Sequence, residues 1–211
     1  SQIIDGAVQH FIEFAKENRD TKPVVFFLNG EIPMPELTNK YSSFDLFVKK
    51  LGYYSSWSAG IAMWKEQRDT RLNKETYNKL FPHTDILFSI TDSSEYIIDN
   101  YQYMKSIDND ATKKGKYNLF EAFAVSYPSI LLGLLLEKKI SIDTFPFVMD
   151  NLLDFICHLY IDFIIKKRTC SYELNDAKKY INVFYHSQSF KGRLISILKK
   201  RIMRRIFVKW T

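Results

Sequence analysis

The chain has 211 residues, 46% of them apolar and 26% charged, with only 7 Gly and 6 Pro. This composition excludes a disordered, collagenous or low-complexity protein, and 17 Phe, 13 Tyr and 3 Trp promise a bulky core in one large or two small domains. The net charge of +6 is unevenly placed: Ser189 to Thr211 holds eight basic residues and no acidic one, leaving 22 basic against 24 acidic residues elsewhere.

In chain order, Ala7, Val8, Phe11, Ile12 and Ala15 recur at helical spacing up to Asn18. Val24 to Leu28 has the length of a buried strand, and Asn29 to Lys40, with Gly30, Pro33 and Pro35, reads as a loop. Ser42 or Ser43 caps a helix carrying Phe44, Phe47, Val48 and Leu51, and Gly52 ends it. Trp57 to Trp64 is expected as a strand and Asp69 to Leu80 as a helix, while Tyr96 to Met104 fits either. From Asn118 onward the pattern is helical only. One helix runs from Phe120 to Leu135 with a kink at Pro128, a second from Phe147 to Ile164, and two more near Glu173 to Tyr185 and Leu194 to Val208. The expected fold class is therefore α/β, a small sheet with flanking helices over residues 1–110, followed by an all-α extension over 111–211.

Nothing at Ser1 to Asp5 resembles a signal peptide, and the missing initiator Met suggests a start inside a longer protein. The most apolar stretches, Ile130 to Leu136 and Leu152 to Ile165, read as buried helix segments, too short or too interrupted to cross a bilayer. Cys157 and Cys170 lack metal-ligand spacing and read as reduced thiols, in keeping with a cytoplasmic location. Asp108-Asn109-Asp110 reads as a polar turn rather than a metal site.

Tyr41 to Phe47 and Gly52-Tyr53-Tyr54-Ser55-Ser56-Trp57-Ser58-Ala59-Gly60-Ile61 resemble the acceptor-side half of bacterial family 2 glycosyltransferases of the GT-A fold. The resemblance recurs at Phe81-Pro82-His83-Thr84-Asp85-Ile86-Leu87 and from Lys114 to Phe123. It implies a partial GT-A-like sheet, a nucleotide-sugar donor and a saccharide or lipid-linked acceptor in surface polysaccharide synthesis. The family's nucleotide-binding strands and its D-x-D segment would precede Ser1. The divalent ion (Mg or Mn) is then expected in the parent enzyme and not in this chain, which alone would be inactive.

The resemblance also implies site residues, each with a plainer alternative. Asp85 is the general base, or a charge in the first turn of a helix; His83 orients it or contacts the acceptor, or lies on the surface. Trp57 stacks on a sugar and Gly60 lets the backbone approach it, or both serve the core; Trp64 reads as core. The loop of Lys114 and Lys116, with Tyr117 and the helix start at Asn118, closes over the donor diphosphate, or Lys113 to Lys116 is a solvated charge run. Lys199, Lys200, Arg201, Arg204, Arg205 and Trp210 form a basic amphipathic tail for an anionic membrane at the inner face, or its basic side faces solvent. The competing class is a non-enzymatic helical module whose basic tail binds nucleic acid or a protein. No helix-turn-helix, zinc-ligand or RNA-binding signature supports it, so nucleic acid is not an expected partner.

Overall fold

The computed structural model describes residues 2–71, 77–105 and 117–208, with side chains throughout except at 69–71 and 204–208. The chain divides into two compact units, one of Ser1–Asn109 with Gly133–Phe145, the other of Asp110–Leu132 with Pro146–Thr211. Each is α/β or helical as its hydrophobic patterning demands.

The first unit is built on a four-stranded sheet, in the order β3 (Thr38–Tyr41), β5 (Tyr96–Asp99), β2 (Val24–Phe27), β4 (Ile61–Ala62). β2 and β5 run parallel, with Val25 opposite Ile97, and every residue of both is buried. That is the condition of a parallel pair covered on both faces, and it explains why these strands read as unbroken apolar runs. Val25, Phe27 and Ile97 face α1 (Ala7–Glu17), where they enclose Phe14. On the other face Tyr96 meets Phe44 and Phe47 of α2 (Phe44–Leu51), and Phe44 meets Phe88 of α4 (Pro82–Phe88) edge-on. Ser43 caps α2 by accepting the Leu46 N–H at 3.2 Å, and Gly52 ends the helix at φ 51°. A two-stranded ribbon of β1 (Gln2–Ile3) and β6 (Met104–Lys105) completes the unit.

Several expectations need correction. The loop expected over Asn29 to Lys40 ends in strand β3, whose polar residues suit a sheet edge and whose backbone pairs antiparallel with β5. The strand expected from Trp57 to Trp64 shrinks to β4, because Gly52–Ser56 and Ser58–Gly60 turn as 3-10 helix. The helix expected at Asp69 to Leu80 is α3 (Lys65–Arg71), with residues 77–80 outside any helix. Tyr96 to Met104 resolves into two strands, broken where Tyr101 N–H turns back onto the Asp99 carboxylate at 3.1 Å.

The second unit is helical. A continuous run begins at α5 (Leu119–Glu121), passes through a π-helical stretch (Ala122–Ser126) and continues as α6 (Tyr127–Leu136). The expected kink at Pro128 takes this form because Pro128 has no N–H to bond back; Tyr127 N–H reaches five residues to Ala122 and Ser129 Oγ donates to the Val125 carbonyl at 2.8 Å. The run Leu119–Leu136 has 18 residues and mean hydropathy 1.8, long and apolar enough by length and composition to cross a membrane, which the shorter stretch from Ile130 did not suggest. Phe120, Ala122, Ala124, Tyr127 and Leu131 on it are nonetheless fully buried in the protein. After it come α7 (Thr144–Leu159), π-helical from Tyr160 to Ile165, then α8 (Ala177–Phe184) and α9 (Ser187–Val208). The last two differ from expectation at their starts: Glu173 is bridged to Asn118 instead of helical, and α9 begins seven residues before Leu194. Cys157 and Cys170 are both free, and burial pushes the Cys157 thiol up to about 12, leaving it unreactive at neutral pH.

Candidate functional site

α4 starts with Pro at its first position, where a missing N–H costs nothing. Its next residues then meet the 3-10 turn of Gly52–Ser56. His83 Nε2–H donates to the Ser56 carbonyl at 2.7 Å, and the buried Thr84 hydroxyl donates to the Ser55 carbonyl at 2.9 Å. Two segments that carry the candidate residues, 27 positions apart, are thereby joined. His83 serves the turn, with Nε2 as the protonated nitrogen, and no hydrogen bond ties it to Asp85 among the contacts described. Asp85 is half-buried in the first turn of α4, where Oδ2 accepts the Asn78 N–H at 3.0 Å; Asn78 in turn accepts Leu80 and Phe81 N–H groups at 3.0 Å. The carboxylate thus helps fix the approach to α4.

Trp57 follows that turn directly and lines a cavity of about 390 Å³ with Phe11, Phe27, Asn29, Ile61 and Tyr103. The cavity is walled mainly by apolar and aromatic groups, the usual character of a small-molecule cleft. Gly60 is buried against β2: a Cβ there would stand 2.5 Å from the Phe26 ring and 2.6 Å from the Phe27 carbonyl. The space a side chain would need is filled by Phe26, so Gly60 admits the strand and not a ligand. Trp64 is half-buried, its indole N–H donating to the Pro23 carbonyl at 2.9 Å.

At the carboxyl ends of β2 and β5, where open α/β sheets bind their ligands, lies a polar cluster that the sequence did not announce. Asp99 is fully buried and accepts from His10 Nε2 at 3.1 Å, Thr38 Oγ1 at 3.2 Å and Tyr103 OH at 3.0 Å. Burial, with the Asp99 carboxylate beside it, raises the Tyr103 phenol well above its ordinary value, so it stays protonated and donates. His10 stacks on Tyr101 at 4.0 Å between ring centroids. Asn29, at φ 62°, accepts the Tyr103 and Met104 N–H groups at 2.8 and 2.7 Å. The one signal in the sequence was an Asp closing the apolar run Tyr96 to Ile98.

In the second unit, Asn118 is a helix cap whose polar capacity is consumed. Its Oδ1 accepts the Phe120 and Glu121 N–H groups at 2.9 and 3.0 Å, and its Nδ2 donates to the Asn175 carbonyl and Oδ1 at 2.9 Å each. The expectation that it serves a donor diphosphate is corrected accordingly. Tyr117 packs on Tyr172 at 4.7 Å, and burial raises its phenol far above the usual value. Lys114, Lys116 and Asp108-Asn109-Asp110 lie outside the described residues, as do Trp210 and the side chains of Arg204 and Arg205. Lys199 and Lys200 are exposed on α9, whereas Arg201 turns inward to Asp162 Oδ1 at 3.1 Å and to His158 Nδ1. Among the described residues no three His, Cys, Asp or Glu side chains gather as a metal-holding group. No family model, curated protein or solved structure matches the chain.

Proposed function

We propose that the chain is the acceptor-side part of a bacterial family 2, GT-A-fold glycosyltransferase acting in surface polysaccharide synthesis. Its parent transfers a sugar from a nucleotide-sugar to a saccharide or lipid-linked acceptor at the cytoplasmic face of the membrane. The observation that carries this reading is the joining of the Ser55-Ser56-Trp57 turn to the His83-Thr84-Asp85 segment by two hydrogen bonds of 2.7 and 2.9 Å. Two segments of the resemblance, separate in sequence, are thereby held together, with Trp57 next in sequence to one bonded residue and Asp85 next to another.

In the reaction Asp85 takes the proton of the acceptor hydroxyl, the freed oxygen bonds to the anomeric carbon, and the bond from that carbon to the nucleoside diphosphate breaks. Trp57 offers the sugar an apolar face at the cavity. The Thr84 and His83 side chains act by donating to the Ser55 and Ser56 carbonyls, holding the turn that precedes Trp57. The test is Asp85→Asn in the parent protein: an amide still accepts the Asn78 N–H but cannot take the proton. Turnover is expected to fall about 10²-fold or more with donor affinity and folding unchanged. Unchanged turnover assigns Asp85 to fixing the start of α4 alone.

A further inference from the structure

The basic residues of α9 do not act alike. Arg193 pairs with Asp150 and, at 3.2 Å, with Asp154, while Arg201 pairs with Asp162 at 3.1 Å and donates to His158. These partners lie on α7 and its π-helical end, and Phe190 and Ile197 on the same side of α9 are buried, with Phe190 edge-on to Tyr160. At 3.6 residues per turn, Phe190, Arg193, Ile197 and Arg201 occupy an arc of about 80°. Lys191, Ile195, Lys199 and Ile202 occupy another arc of about 80°, centred about 160° away, with Met203 at its margin. All five are exposed, Ile195 to 52%, Ile202 to 57% and Met203 to 51%. Two branched apolar side chains thus stand open among exposed lysines on one face of the helix.

We propose that the outward face of α9, formed by Lys191, Ile195, Lys199, Ile202 and Met203, lies on an anionic phospholipid surface, and that Arg193 and Arg201 are the inward latch holding the helix to its own unit. The face combines the two contributions such adsorption needs, apolar groups that enter the headgroup boundary and cations that meet lipid phosphate. It fits anionic lipid by charge, since Ser189 to Thr211 holds no acidic residue. The assignment rests on the membrane part of the function proposed above and gives that part a definite surface.

The experiment compares variants that remove equal charge from opposite sides of one helix. Co-sedimentation of the 211-residue chain with phosphatidylcholine vesicles containing 30% phosphatidylglycerol is measured for wild type, Lys191→Gln/Lys199→Gln, Ile195→Ser/Ile202→Ser and Arg193→Gln/Arg201→Gln. Each surface Lys contributes about fivefold to partitioning, so the lysine pair is expected to weaken it about 25-fold. The isoleucine pair is expected to weaken it about tenfold, because apolar entry is lost at constant charge. The arginine pair is expected to keep wild-type binding and to lower the melting temperature instead. Wild-type binding that is lost equally with either charge pair, or with neither, overturns the face assignment while leaving membrane association standing. A wild type that ignores these vesicles, or binds only duplex DNA, overturns the membrane part of the function as well.

Discussion

Gly60 shows how a single residue type carries two readings in a sequence and one in a structure. Beside Trp57 it suggested a backbone left open to a sugar, but the ring of Phe26 stands where its Cβ would be, at 2.5 Å, with the Phe27 carbonyl at 2.6 Å. Neither the strand nor a ring wedged in the core yields easily, so Gly60→Ala is expected to destabilise the protein by about 2 kcal/mol, read as a lower urea midpoint at constant slope. A neutral effect would mean that β4 is free to move away from β2. Asn118 teaches the converse: read from sequence as part of a donor loop, it spends both amide hydrogens and its carbonyl on neighbours within its unit. Asp99 was missed because two of its partners, His10 and Thr38, lie 89 and 61 positions away and only folding brings them to it. Pairings of that range leave no local pattern to read.

At the level of elements, the sequence revealed most where burial is uniform or periodic. β2, α1 and α2 were legible because their apolar residues follow the period of the element they form. β3 was hidden because an edge strand of Thr-Asn-Lys-Tyr is held by backbone pairing, which side-chain pattern does not record. The Trp57 to Trp64 segment misled because the chain turns as 3-10 helix on either side of Trp57, leaving only Ile61–Ala62 to pair with β2. The charge of α9 was legible, but its division into an inward latch and an outward face depends on Asp150, Asp154 and Asp162, up to 43 positions earlier. That latch carries a pH dependence. Burial, then the Arg201 guanidinium, hold His158 below its ordinary pKa of 6.5, against the pull of Asp154 and Asp162, so that Nδ1 stays an acceptor for Arg201. A histidine depressed in the folded state contributes stability that is complete above its unfolded pKa and is lost as pH falls through its folded one. Asp162, which burial would raise but hydrogen bonds from Lys166 and Arg201 bring below its usual value, keeps its own contribution until pH drops further. Between pH 7 and 5 the melting temperature is therefore expected to fall by about 2 °C, a small change because only part of the His158 ring is withdrawn from solvent, and His158→Gln should remove that slope. A melting temperature that rises over this interval contradicts the assignment.

Across the whole chain, the order of an α/β portion followed by helices was legible because strand and helix periodicities occupy different stretches. The units themselves were not, since the first takes back Gly133–Phe145 from the helical half, where Asp45 accepts from Ser141 N at 2.7 Å and from its hydroxyl at 3.0 Å. A contact 96 residues apart between two exposed polar side chains has no hydrophobic signature to betray it. The fold also joins two of the candidate segments through Ser55, Ser56, His83 and Thr84, a contact that no local pattern records. We propose glycosyl transfer by the parent with this chain as its acceptor side. It is tested most directly by nucleoside diphosphate release from a panel of nucleotide-sugars, with Mg²⁺ or Mn²⁺ and a saccharide or lipid-linked acceptor fraction, measured for the parent protein and the 211-residue chain side by side. Acceptor-dependent release is expected from the parent with at least one donor and none from the chain alone; release by the isolated chain, or its absence with every donor in the parent, contradicts the proposal.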